Sequence, residues 1–311
     1  MCSGAGRKVS NMPRRIIQFM HRGKEILPHQ LINGWNLGRH GRRLLRHEGN
    51  YVDARGNYLS GDLAFWNEYE APTRHTPIQG GLRGWQYAEN YHEIIVPVPP
   101  KPSGRRRQYA ACCCNTDPCV FGDTFKYSNC QQVPNGVLWN VPVGSVILFG
   151  AHKDNLFALD TVFVVGQTGI PYFVPVQANQ MPFVVSRNYH DVTLGNLLPR
   201  PYRRHLINQF MFYRGANVMH RNGRVEGTPI YSFTPARIFN SQNYNERCMI
   251  DLAQLNNHVG QSLQNCQFSV GKTQGFKDVF TGPSADVEGV WKEVRDQVLN
   301  QGFVLGVHFD W

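Results

Sequence analysis

Short apolar runs, broken by glycine, proline or polar pairs, dominate the chain, and their spacing predicts mostly strands. Residues 16–20 form a strand-like apolar run, followed by a polar turn over residues 21–25. Residues 28–50 mix Trp, His, Gly and Arg without a clear period, and Gly34, Gly38 and Gly41 argue against one long helix there. Residues 63–70 alternate apolar and polar at their end, as a half-buried strand does, and residues 97–102 read as a proline-rich loop or linker. Residues 144–150 and 156–165, joined by the polar turn 152–155, predict a β-hairpin at the centre of a sheet or small barrel. Residues 245–264 predict a helix with Met249, Leu252, Ala253 and Leu255 on one side. Asp286 caps a second helix, in which Val287, Val290, Trp291, Val294 and Val298 recur at helical spacing. Gly302 stops that helix and residues 303–309 form a last strand. No internal repeat is present. The order of many strands and few, late helices predicts an α+β fold: a curved β-sheet or small β-barrel core, loop-rich, with a few peripheral helices. Residues 1–13 read as a flexible tail. Residues 14–311 read as one domain, with a basic first third to residue 110 and a β-rich core over 111–311.

Composition narrows the function classes. No apolar run approaches the roughly 20 residues of a membrane span. The first residues, with Arg7, Lys8, Arg14 and Arg15, lack the apolar stretch of a signal peptide, which points to a cytosolic protein. The net charge of +10 is unevenly placed. Residues 1–110 hold 17 Lys and Arg against 8 Asp and Glu, whereas residues 111–199 hold 3 against 5. The excess concentrates in Arg39, Arg42, Arg43 and Arg46 and in Arg105, Arg106 and Arg107. Arginine's planar fork suits phosphate oxygens, and this bias is the footprint of a polyanion binder. Consecutive Cys112, Cys113 and Cys114 fit a secreted disulfide framework poorly, and with Cys119 and Cys130 they lack the paired spacing of common zinc sites. No metal and no cofactor is expected.

No named catalytic fingerprint is present, but three polar clusters stand out. The first joins His21, Arg22 and Lys24 to Trp35, Arg39 and His40: either a groove holding a phosphate backbone with a base stacked on Trp35, or a solvated basic loop. The second places Trp66, Glu68 and Glu70 on one face of a strand. Two carboxylates beside an indole can supply an acid and a base, or they can be solvated. The third runs from Asn115 and Asp117 through Asp123 and Tyr127 to Asn129: either a pocket reading a base edge or sugar hydroxyls, or plain Asx turns. Tyr213, Arg214 and Gly215 form a further loop able to reach a phosphate, and Asp160 lies inside an apolar strand as either a paired or a catalytic carboxylate.

The segments GDLAFWNEYEAPT, NTDPCVFGDTFKYSNCQQ and VILFGAHKDNLFALDTVFVV resemble the nucleotide-modification-associated domain proteins of prokaryotes, found with DNA hypermodification and phage-conflict systems. The resemblance implies action on modified nucleobases of phage DNA, and its most concrete enzyme is an anti-phage DNA glycosylase that removes a sugar-decorated base. Under it, Glu68, Glu70, Asp123 and Asp117 are the candidate catalytic carboxylates. Trp35, Trp66, Asn115, Asn129, Tyr127 and His21 are candidate base- and sugar-binding residues. Arg39, Arg42, Arg43, Arg105, Arg106, Arg107 and Arg214 would hold the DNA backbone. A non-catalytic reader that cups a flipped base in a small barrel, and an RNA-processing or nucleotide-binding enzyme, remain the alternatives.

Overall fold

The structure, a computed structural model, describes residues 13–21, 24–26, 41–70, 96–98, 111–115, 118–122, 124–129, 136–153, 156–173, 181–182, 194, 200–202, 205–207, 209–227, 229–239, 246–259, 275–280 and 286–310. In chain order the first strands are β1 (Ile16–His21), β2 (Lys24–Ile26), β3 (Gly41–Val52), β4 (Tyr58–Glu70), β5 (Val96–Val98), β6 (Ala111–Asn115) and β7 (Lys126–Ser128). After a 3-10 turn at Gly136–Trp139 come β8 (Val146–Lys153), β9 (Leu156–Val164), β10 (Ile170–Phe173), β11 (Arg200–Tyr202), β12 (His205–Ile207) and β13 (Gln209–Arg214). The last stretch holds β14 (His220–Arg221), β15 (Arg224–Val225), β16 (Thr234–Ile238), β17 (Cys248–Ile250), helix α1 (Leu252–Asn256), β18 (Gly275–Phe280), helix α2 (Val287–Asn300) and β19 (Val304–Phe309).

One sheet has the order β17-β9-β8-β1-β18, with the expected β8–β9 hairpin at its centre and β1 parallel to β8. A second runs β2-β3-β19-β16-β4-β6-β5, and β3 also pairs with β4 along its whole length. That extra pairing closes β3, β19, β16 and β4 into a four-stranded ring, the small barrel that the strand-rich pattern predicts. The fold is α+β with a β-dominated core, as the order of elements implies. Tyr51, Leu63, Phe65, Ala236 and Phe309, one or two from each ring strand, share a cluster with Phe121. Four strands enclose too little space for anything but such side chains.

The two sheets are stitched backbone to backbone. Val162 and Phe233 exchange hydrogen bonds of 2.8 and 2.9 Å, and the Thr161 and Thr234 hydroxyls meet at 3.1 Å. Helix α2 covers this seam. Asp286 caps it by accepting from the Gly289 N–H at 2.7 Å, and Gly302 ends it at φ 77°, as the sequence predicts. Val287, Val290, Trp291, Val294 and Val298 form its buried stripe, and the Trp291 indole donates to the Tyr231 carbonyl at 2.8 Å.

Three sequence expectations change. Residues 248–250 are a strand, and the helix is confined to Leu252–Asn256. The edge of β9 takes Cys248 to Ile250 into its ladder, and Asp251 then starts a helix by accepting from the Ala253 N–H at 2.9 Å. The aperiodic stretch over residues 28–50 runs into the twelve-residue β3, Gly41–Val52. Its apolar positions follow no simple alternation because both faces are partly buried, Leu44 and Val52 on one, His47 and Tyr51 on the other. Pro97 lies in β5, an edge strand of the kind that tolerates proline.

Asp160 is a paired carboxylate. The Arg247 guanidinium donates to it at 2.6 Å, with both side chains almost fully buried, and also lies 5.3 Å from the Trp66 ring centroid. Removing one partner of such a pair strands the other charge in the core. Asp160→Asn is expected to lower unfolding free energy by about 3–5 kcal/mol in urea titrations; a loss under about 1 would show that water reaches the pair. At the cap, the hydrogen bond from Gly289 holds the Asp286 carboxyl below its ordinary value of 3.8, outweighing desolvation, and His258 adds to the lowering. The stabilisation is therefore complete above the unfolded value and lost as pH falls through the depressed folded one. Asp286→Ala is expected to cost about 1 kcal/mol at neutral pH and progressively less below about pH 4, read from thermal melts across pH.

Candidate functional site

The ring occupies one part of the β3–β4 pair, and the rest of that pair runs out beyond it. β19 pairs with residues 49–52 of β3, and β16 with Leu63, Ala64 and Phe65 of β4. Toward the other end β2 replaces β19, at Gly41, Arg42 and Arg43, and β6 replaces β16, at Tyr69 and Glu70. Beyond the closed ring the sheet continues as an open run, β2-β3-β4-β6-β5.

This open end collects residues from three distant stretches of sequence. Arg42 is opposite Glu68, Arg43 opposite Asn67, Tyr69 opposite Asn115 and Glu70 opposite Cys114. The register therefore divides the expected site residues by face: Arg42, Glu68 and Glu70 fall on one side of the sheet, Arg43 and Asn115 on the other. Trp66, Glu68 and Glu70 follow one another at the two-residue period of β4, as expected. Trp66 itself is 4% exposed and packs with Leu44 and Ala64, so its ring is a wall of the core and offers no open plate for a base.

The third cluster divides. Tyr127 and Asn129 are each 1% exposed. Tyr127 packs at 5.2 Å from Phe149 and 5.9 Å from Phe163, and the Asn129 side-chain oxygen Oδ1 accepts from the Met211 N–H at 2.8 Å. Both hold β7 to its neighbours and face no solvent. The Ser128 and Tyr172 hydroxyls bond to each other nearby. Burial pushes Tyr213 up to about 12, so its hydroxyl stays neutral while donating to the Leu138 carbonyl at 2.8 Å. Burial also pushes the Cys119 thiol up, against the lowering effect of Lys126, which keeps the thiol protonated. Arg214 ends β13 opposite Lys126, and His21 ends β1 opposite Ala151. Trp35, Arg39, Arg105, Arg106, Arg107, Asp117 and Asp123 lie outside the described residues. Among the described residues no group of His, Cys, Asp and Glu is arranged to hold a metal, and no helix is long and apolar enough to cross a membrane.

Two hollows lie elsewhere among the described residues. One, of about 430 Å³, is lined by Arg237, Glu246, Arg247, Met249 and Phe303. Its charges are already engaged: Arg237 donates to the Gly302 carbonyl at 3.0 Å and to Glu246 at 2.5 Å, and Arg247 holds Asp160. The other, of about 290 Å³, is lined by Glu48, Asn50, Ser60, Asp62 and Asp310 on the ring part of the same strand pair. Glu48 and Asp62 are cross-strand partners there, roughly 20 Å along the strand from Glu68.

Sequence reasoning passed over one exposed basic feature, the β14–β15 hairpin. Its signal is the string His220-Arg221-Asn222-Gly223-Arg224, since Asn-Gly between two short strands marks a tight hairpin turn.

Comparison of the chain with protein-family models, with curated proteins and with solved structures finds no match in any of the three. Geometry and charge therefore carry the functional reading. The scaffold under the open end depends on the ring, and Gly49 is its tightest point: a Cβ there would meet the His308 carbonyl oxygen at 2.3 Å, across the β3–β19 pairing. Gly49→Ala is expected to destabilise the protein by about 1–3 kcal/mol in denaturant titrations, the range for forced overpacking; an unchanged midpoint would mean that β19 does not close the ring.

Proposed function

We propose that this protein acts on DNA and hydrolyses the N-glycosidic bond of a modified, sugar-decorated base, the activity that the sequence resemblance implies. The observation that carries the reading is the register at the open end of β3–β4, where Arg42, Glu68 and Glu70 occupy neighbouring positions of one face. The filled ring leaves no space for a base inside the barrel, so the reaction is assigned to the open end outside it.

Positions two apart on a strand are about 6.7 Å apart, a spacing that leaves room for a water between two carboxylates. The roles divide by neighbour. Glu68, opposite Arg42, takes the anionic role and accepts a proton from the attacking water. Glu70, opposite Cys114, supplies a proton to the departing base. The water oxygen bonds to C1′ as the C1′–N bond breaks, leaving an abasic deoxyribose and the free base. Arg42, on the same face as the two glutamates, holds a flanking phosphate.

Glu68→Gln and Glu70→Gln are each expected to lower turnover at least about a hundredfold on modified duplex DNA, with DNA affinity and melting temperature kept. Asp117→Asn, Asp123→Asn and the ring pair Glu48→Gln and Asp62→Asn are expected to stay near the parent rate. Abasic sites counted by alkaline strand cleavage provide the readout. Loss confined to an aspartate or ring variant moves the chemistry to that cluster. A parent protein that binds modified DNA but produces no abasic site is a reader instead.

A further inference from the structure

From the β14–β15 hairpin we infer a second DNA contact: a two-stranded arginine ribbon that docks on duplex DNA, away from the open end of β3–β4. Asn222 at φ 50° and Gly223 at φ 73° form its turn, with both central residues in the left-handed region, as a type I′ hairpin requires. Arg221 and Arg224 flank this turn as direct cross-strand partners. Opposed residues of this kind have Cβ atoms about 4.5–5.5 Å apart, and like charges there are destabilising. Both arginines are exposed, and neither guanidinium makes a hydrogen bond or ion pair among the described residues. A tight turn that sets two unneutralised arginines directly opposite one another is less stable than one whose charges an anion bridges. Two adjacent planar forks fit the oxygens of a phosphate backbone.

The ribbon is held rigidly. The Tyr58 N–H donates to the Gly223 carbonyl at 2.6 Å, and the Val225 N–H to the Gly56 carbonyl at 3.0 Å. His220 stacks on Tyr58 with ring centroids 3.7 Å apart and planes 8° apart. The neighbouring turn adds the exposed Arg55. Asp53 adds a carboxylate already occupied: it accepts from the Arg55 and Asn57 N–H groups and from the Asn57 side chain, each at 2.8 Å. Glu226 is the exposed acid beside the ribbon. A backbone held in place before binding spares the entropy of ordering the hairpin on contact with phosphates.

A two-stranded ribbon enters the wide major groove of B-form DNA, whereas the deep, narrow major groove of A-form RNA does not admit it. At most about 33 Å of strand separates Val52, beside the ribbon, from Arg42 at the open end, close to the roughly 34 Å of one DNA turn. The choice of DNA over another polyanion rests on the functional reading above; the ribbon geometry does not.

The test uses the full-length protein and an unmodified 20-base-pair duplex, so that no turnover enters, and measures affinity across salt concentrations. Arg221→Ala with Arg224→Ala is expected to flatten the slope of log affinity against log salt by about 2, at roughly 0.9 per lost phosphate contact. Arg221→Lys with Arg224→Lys is expected to keep the slope, and Lys292→Ala, an exposed cation on α2, to leave it unchanged. A parent slope in the double alanine variant overturns the inference, as does an equal loss in Lys292→Ala. Equal affinity for an RNA duplex with an equal loss on it overturns the assignment to DNA. If the slope falls as expected while the parent releases no base from modified DNA, the glycosylase reading fails and the ribbon stands. Base release with an unchanged slope has the opposite meaning.

Discussion

Closure of the ring is the constraint on which the rest depends. β3 and β4 come from residues 41–70, β16 and β19 from residues 234–309, and the ring forms only when the two ends of the sequence meet. Closure leaves the four strands no free edge along the stretch where it holds. It packs Phe65 at 4.0 Å from Phe309 and brings Phe121 to both at 6.1 Å. It also fixes the exit direction of β3 and β4, and that exit sets Arg42 opposite Glu68 and Tyr69 opposite Asn115. A chain whose first and last thirds pair this way has many non-local contacts, so its folding is slow for its size.

Four of the described arginines form two pairs with different physics. Arg237 and Arg247 lie within the protein: one spans Glu246 and the Gly302 carbonyl and lies 4.1 Å from the Phe303 ring centroid, the other holds Asp160 against Trp66. These bind segments together, and their charges are spent. Arg221 and Arg224 lie outside and oppose one another without a counter-ion among the described residues. The net charge of the chain is therefore a poor guide to where a polyanion lands, and the state of each guanidinium a better one.

Much of the fold was legible in the sequence. The β8–β9 hairpin, the Asp286 cap, the valine stripe of α2 and the Gly302 stop all follow from short-range chemistry, because capping, turn and period signals are local. The strand through Glu70 was legible for the same reason. β3 was not, since a strand buried on both faces carries no alternation, and β17 was not, since only the edge of β9 makes Cys248 to Ile250 a strand. The roles of Trp66, Tyr127 and Asn129 could not be read either. Whether an aromatic or amide faces solvent or a core depends on contacts far away in sequence, and here Leu44, Phe149 and Met211 decide it. The meeting of Glu68 with Arg42 was hidden because the pairing of β4 with β3 is set by the ring.

The most direct measurement of the central claim follows the small molecule released. The parent protein is incubated with duplex DNA carrying a sugar-decorated base, and the filtrate is analysed by mass spectrometry. Release of the intact modified base, matched one to one by abasic sites in the strand and absent with plain DNA, is the result the account predicts. DNA returned unchanged, from protein shown to be folded and bound to it, contradicts the account.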